Sequence, residues 1–275
     1  MFRFALAALL VCLAGCAPRA QRSSQPGVPA NALPFSALAN AAYPSQFSDS
    51  GRVQLHDGSS SDSASRAEVT LAPRYAVGDL GGDPLPDAAV VLMSSGGGSG
   101  EFFELYAVRN ESGAANPVGS ILLGDRVRLD SVWIADRQIR VSYLTHAHDD
   151  PMCCPSLSVT RAFELRADSL VAAALMVSGR YQIGREAETF RPCGSRAVYW
   201  VRGQAPLLQQ LHREYERVAT PARGEVYVEL NATVLDPAGR GFPSQFDGML
   251  NVAEVRAVRA LVAGECADSA IAAQR

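Results

Sequence analysis

Residues Arg126-Val127-Arg128-Leu129-Asp130-Ser131-Val132-Trp133, followed by Gln138-Ile139-Arg140-Val141-Ser142-Tyr143-Leu144, decide the fold. Val127, Leu129, Ser131 and Trp133 alternate with Arg126, Arg128, Asp130 and Val132, and Ile139, Val141 and Tyr143 alternate with Arg140 and Ser142. Side chains on a strand point to opposite faces in turn, so this pattern marks antiparallel strands with one wet face. Ala135-Asp136-Arg137 between the two runs fits a hairpin turn. Outward from this pair, Arg66 to Leu71, Tyr75 to Val77, Ala88 to Met93, Phe102 to Val108, Val118 to Leu123 and Ser158 to Leu165 read as further short strands separated by Gly, Asp, Asn and Pro. The expectation is a mainly antiparallel sheet, sandwich or open barrel over residues 35–176.

Near Ser178 the character changes. Gly179 to Ile183, Ala197 to Val201, Glu225 to Leu235 and Gly248 to Val258 read as strands. One helix intervenes, with Pro206 in its first turn, Leu207, Leu208, Leu211, Tyr215 and Val218 at helical spacing, and Thr220-Pro221 ending it. A few strands around one helix predict a small barrel-like α+β domain over 177–267. The fold class is therefore mainly β with a minor α+β part, and residues 268–275 read as a disordered tail.

The N-terminus carries an address. Arg3 is a short positive region, Phe4 to Val11 an apolar core too short to span a bilayer, and Leu13-Ala14-Gly15-Cys16 a small-residue cleavage site ending in cysteine. The pattern resembles a bacterial lipobox. That resemblance implies removal of residues 1–15, a palmitate-type lipid on Cys16, and a mature chain tethered to the extracytoplasmic face of a membrane in the cell envelope. Residues 16–34, rich in Ala, Pro, Ser, Gln and Arg, read as the tether. Asp57 to Ser65, with five serines and two aspartates, reads as an exposed loop, while Phe35, Leu38, Tyr43 and Phe47 are candidates to pack on the domain that follows.

Composition narrows the function classes. The chain has 275 residues, an apolar fraction of 48% and a net charge of −3, so burying a core is no difficulty. It has no lysine, and its 25 arginines are scattered; no basic footprint for nucleic acid exists.

The densest chemistry lies in His146-Ala147-His148-Asp149-Asp150-Pro151-Met152-Cys153-Cys154-Pro155, a loop between two strands. In an extended segment His146 and His148 point to the same side, and Cys153, Cys154 or Asp150 could complete a four-ligand set for zinc or copper. Against this, an oxidising compartment favours joining the thiols, and aspartates in loops bond local amides. Once Cys12 leaves with the leader and Cys16 takes the lipid, Cys153, Cys154, Cys193 and Cys266 remain, an even number that allows three disulfide connectivities. Cys193 with Cys266 would close a loop within the C-terminal domain.

Other clusters are weaker. Asp79-Leu80-Gly81-Gly82-Asp83-Pro84-Leu85-Pro86-Asp87 has carboxylates at calcium-loop spacing, but Gly81 carries no ligand atom and Pro84 stands where a glycine is needed, so a turn feeding the buried strand Ala88 to Met93 explains it better. Gly96-Gly97-Gly98-Ser99-Gly100 lacks the ending of a phosphate loop and reads as a turn. Neither a Gly-x-Ser-x-Gly elbow nor a His-Glu-x-x-His helix occurs.

Two family resemblances follow from these residues. Gly78-Asp79-Leu80, Asp87-Ala88-Ala89-Val90, Gly97 to Phe102, Leu123 to Val127, Thr145-His146 and Asp150 to Pro155, all within residues 75–165, resemble uncharacterised bacterial lipoproteins of the LppP/LprE type. Gly179 to Val258, with Thr189 to Ser195, Tyr199-Trp200, the Leu207 to Tyr215 helix and Val226 to Glu229, resembles the small barrel module of NlpE-like lipoproteins. The latter family's Cys-x-x-Cys metal motif is absent here, so its copper association is carried to no residue. The resulting expectation is a non-catalytic envelope lipoprotein, bound to membrane through Cys16, that acts by binding or structural contact with an envelope protein partner. Metal binding by the 146–154 stretch ranks second, and a hydrolase without a recognisable motif third.

Overall fold

The computed structural model describes residues 29, 31–48, 50–147, 150–219, 224–237 and 241–266. The leader, most of the tether with Cys16, His148, Thr220-Pro221 and the C-terminal tail lie outside them.

The organising strand is β5 (Asp87–Ser95), whose apolar run is buried on both faces. It is central in a five-stranded antiparallel sheet, ordered β3 (Ser59–Asp62), β4 (Ala67–Gly78), β5, β6 (Phe102–Glu111) and β7 (Ala114–Asp125). Alternate residues serve different cores. Ala88, Val90, Leu92, Tyr106 and Val108 face a layer made by α1 (Phe35–Ala39) with the small pair β1 (Ala42–Pro44) and β2 (Arg52–Gln54). Leu38 and Tyr43 are fully buried there, and Phe47 stacks on Phe102. Ala89, Val91, Leu105 and Ala107 belong to the second core.

That second core is closed by a four-stranded antiparallel sheet, ordered β11 (Ser169–Ala173), β10 (Leu157–Arg166), β9 (Gln138–Thr145) and β8 (Arg128–Ala135). On β9 the alternation is as the sequence reads: Ile139, Val141 and Tyr143 are at most 1% exposed. On β8 it is not. A register shift between Leu129 and Ser131 marks a bulge at Asp130. One extra residue moves every later side chain to the other face, so Val132 and Ile134 pack inward and Trp133, read as core-facing, lies on the outer face.

Three other local expectations change. Residues 57–65 contain the edge strand β3, still exposed but hydrogen-bonded to β4. The runs Arg66 to Leu71 and Tyr75 to Val77 form one strand, β4, interrupted by an irregularity around Pro73. β11 is an additional strand, too short to register as a periodic run.

The last unit is a closed five-stranded barrel, ordered β12 (Leu175–Ile183), β13 (Glu188–Pro192), β14 (Tyr199–Gly203), β16 (Gly248–Ala260) and β15 (Val226–Leu235). All pairs are antiparallel except β14 with β16. Helix α2 (Ala205–Val218), begun by a proline, buries Leu211 and Tyr215 against it. The barrel interior, including Tyr181, Phe190, Tyr199, Val228 and Leu250, is continuous with the core between the two sheets. Among the described residues no helix is long and apolar enough to cross a membrane.

Candidate functional site

The loop joining β9 to β10 is built around Asp150. Its Oδ2 accepts hydrogen bonds from the amides of Ala147 (2.8 Å) and Ser156 (2.7 Å), and its Oδ1 from the Ser156 hydroxyl (2.7 Å). Desolvation opposes ionisation of this carboxyl, yet the three donors outweigh it and hold Asp150 below the ordinary carboxylate pKa. Both oxygens are thereby committed to the loop. His146 Nε2 lies 3.2 Å from the Met152 carbonyl, which also accepts from Arg126. Arg126 reaches on to the Ser99 carbonyl at 2.9 Å, tying the loop to the glycine-rich turn, where Gly97 has a φ of 78°.

Cys153 and Cys154 are joined to each other in an exposed vicinal disulfide beside Met152. A disulfided sulfur is a poor ligand. Among the described residues, no group of three or more His, Cys, Asp or Glu side chains could hold a metal ion. Of the five residues assigned to a metal set, His146, Asp150, Cys153 and Cys154 share this loop, where Asp150 is taken up by loop hydrogen bonds, the two sulfurs by each other, and His146 Nε2 lies against the Met152 carbonyl; His148 lies outside the described residues.

Calcium-type spacing at 79–87 resolves into turn chemistry. Asp87, 3% exposed, accepts from the amides of Leu80, Gly81 and Asn110, and Asp83 accepts from that of Leu85.

Between the sheets and the barrel the structure places groups that sequence reasoning did not single out. Arg161, on the core-facing side of β10, grips Asp236 at the end of β15 with both terminal nitrogens. Burial works against its charge, and the Asp236 carboxylate outweighs this and raises the guanidinium pKa. Next to it, desolvation pushes the Tyr143 hydroxyl up to about 12. These residues sit 75 positions apart in sequence, so no local pattern announces the pair. They border a cleft of about 250 Å³ that His146 and Phe246 also line.

The barrel carries two further assemblies. Tyr181 donates to Glu188 (2.7 Å), whose other oxygen meets His212 Nε2 (2.8 Å), and Tyr181 packs edge-on to Tyr215, so α2 is pinned to the barrel. Outside, Trp200 clusters with Phe242 and Phe246 beneath the Arg202 guanidinium. A disulfide between Cys193 and Cys266 ties the end of β13 to the segment after β16.

Five strands closed in this order, with a helix between the third and fourth, are the architecture of an OB barrel. Residues 172–260 match the family model of the NlpE C-terminal OB domain. The NlpE-like module read over Gly179 to Val258 lies inside that span; the match does not extend to residues 75–165, and the LppP/LprE resemblance gains no support from it. No curated protein matches the chain. Among solved structures, the crystal structure of the Cpx pathway activator NlpE from Escherichia coli aligns over 72% of this chain and 100% of that chain, with 9% identity and a TM-score of 0.25.

Proposed function

We propose that this protein is a lipid-anchored, non-catalytic protein of the bacterial cell envelope that holds its OB-type barrel and two sheets on the extracytoplasmic face of a membrane, where it binds an envelope partner. The observation that carries the reading is the NlpE OB match at one end of a chain whose other end resembles a lipobox. The arrangement of polar groups supports a binding or structural role: Asp150, Asp87, Glu188 and Asp236 each hold a loop, a strand end or a neighbouring element. Mass spectrometry of the N-terminal peptide from the membrane-extracted protein tests the anchor. The expected result is a chain beginning at Cys16 with acyl chains attached; an unmodified chain that retains residues 1–15 overturns it.

A second reading concerns metal. His146 faces the Met152 carbonyl immediately before the exposed Cys153 and Cys154, so reduction of their disulfide leaves two thiols and an imidazole in one loop. Thiolate and imidazole together suit zinc or copper. On this reading the reduced protein takes up zinc or copper at micromolar-range (~1 µM) affinity, the oxidised protein does not, and His146→Ala with His148→Ala abolishes uptake. Titration in both redox states decides, and no uptake in either state retires it.

A further inference from the structure

We infer that the cleft between the outer face of the β8–β10 sheet and the turn after Cys193 is a binding site for a phosphate-bearing ligand. The cleft has a volume of about 290 Å³. It is assembled from three separated segments. Arg128 on β8, Leu144 on β9 and Ser158 on β10 are direct neighbours across the ladder and form its floor. Ser195 and Arg196 of the barrel form the opposite wall, and Ser156 closes one end.

The chemistry of the lining is one-sided. It holds two guanidinium groups and three serine hydroxyls, of which Ser158 alone keeps its proton free for a ligand, and no carboxylate. Arg128 is exposed and makes no hydrogen bond or ion pair among the described residues, and the same holds for the Ser158 hydroxyl. Arg196 spends one nitrogen on the Ser156 hydroxyl at 2.9 Å, which fixes its guanidinium in the lining and leaves its other N–H donors free among the described residues. The Ser156 hydroxyl is itself fixed by donating to Asp150, and Ser195 donates to the Ser158 carbonyl at 3.1 Å, so the wall is held in place. Two guanidinium groups lining one cleft, each with N–H donors to spare, match an oxyanion with several acceptor oxygens, and arginine presents such donors bidentately. A carboxylate has only two oxygens to share between two guanidiniums and a hydroxyl; a phosphate has three or more, which is why the geometry favours phosphate. A bare phosphate leaves much of the volume empty, and Leu144 gives the floor an apolar surface, so there is room for an organic substituent.

Position adds a consequence. Ser156 follows the Cys153–Cys154 pair by two residues, and Ser195 follows Cys193 by two, so the cleft lies between both disulfide-bonded turns. A bound phosphate here bridges the sheet and the barrel.

The test is calorimetric titration of the full-length purified protein with inorganic phosphate and with glycerol phosphate, at constant ionic strength set by chloride. The first stands for free phosphate, the second for the head of an anionic phospholipid. The expected result is saturable binding that weakens by at least about tenfold in the Arg128→Gln, Arg196→Gln double variant, as loss of charge-assisted hydrogen bonds implies. Both side chains are exposed, so the thermal midpoint of the variant should match the parent and exclude misfolding as the cause. Tighter binding of glycerol phosphate supports the site with a phosphoester ligand, and equal binding supports it with free phosphate. Binding of neither compound, or affinity unchanged in the double variant, overturns the proposal. Because this readout does not depend on the anchor, its failure leaves the envelope-lipoprotein reading untouched.

Discussion

Replacing Cys266 with serine lowers stability by roughly 4 kcal/mol, the largest single effect expected in this chain. The bond it removes joins residues 73 positions apart, from the end of β13 to the chain beyond β16, and so closes a loop that contains β14, α2, β15 and β16. Opening it releases the unfolded ensemble far more than the folded one, where the Cys193 amide still donates a hydrogen bond to the Ser178 carbonyl. The vicinal pair gives the internal control. It closes a loop of adjacent residues on an exposed turn, and the entropic contribution grows with the logarithm of loop length, so Cys153→Ser with Cys154→Ser changes global stability by no more than about 0.5 kcal/mol. Urea unfolding with and without dithiothreitol measures both. The reduced parent should fall to the Cys266→Ser value; equal midpoints for the parent and Cys266→Ser contradict the role given to this bond.

Gly179→Ala is the second large change, costing about 3 kcal/mol as overpacking against backbone does. Gly179 lies in β12 between Pro192 on one side of the ladder and Val228 on the other. An added Cβ would collide with the Arg191 carbonyl oxygen and lie 2.7 Å from the Phe190 ring. Phe190 is fully buried in the barrel and the carbonyl belongs to the paired strand, so neither yields without breaking the barrel wall. Gly98→Ala is the matched control, because its Cβ meets open space. A shared midpoint for the two variants in chemical denaturation contradicts the barrel packing described above.

Much of the fold is written locally, and the exceptions have physical causes. Period-two alternation at Ile139 to Tyr143 and the apolar run at Ala88 to Met93 identify a half-buried and a fully buried strand, and helical spacing from Leu208 to Val218 identifies α2. A bulge is different. Asp130 shows nothing in composition that announces it, yet it reverses the facing of Trp133. The parallel pairing of β14 with β16 joins strands separated by a helix and a third strand, a register that no local pattern encodes. Site residues divide the same way. The loop around Asp150 is visible because its polar residues are contiguous, whereas Arg161 with Asp236, and Arg128 with Arg196, meet only after the sheets and barrel pack. Even the cysteine count left three connectivities, between which the structure chooses by bringing Cys193 to Cys266.

On the proposed function, one cysteine, Cys16, decides where this protein resides. Lipid chains bind membrane with about 0.8 kcal/mol per buried methylene, so under the proposed acylation of Cys16 its replacement removes the anchor as a whole. The direct measurement is fractionation of cells producing the parent or Cys16→Ser, followed by detection of the protein in membrane and soluble pools. The parent is expected in the membrane pool and the variant displaced from it; a variant that sediments with membranes as the parent does contradicts the lipid anchor.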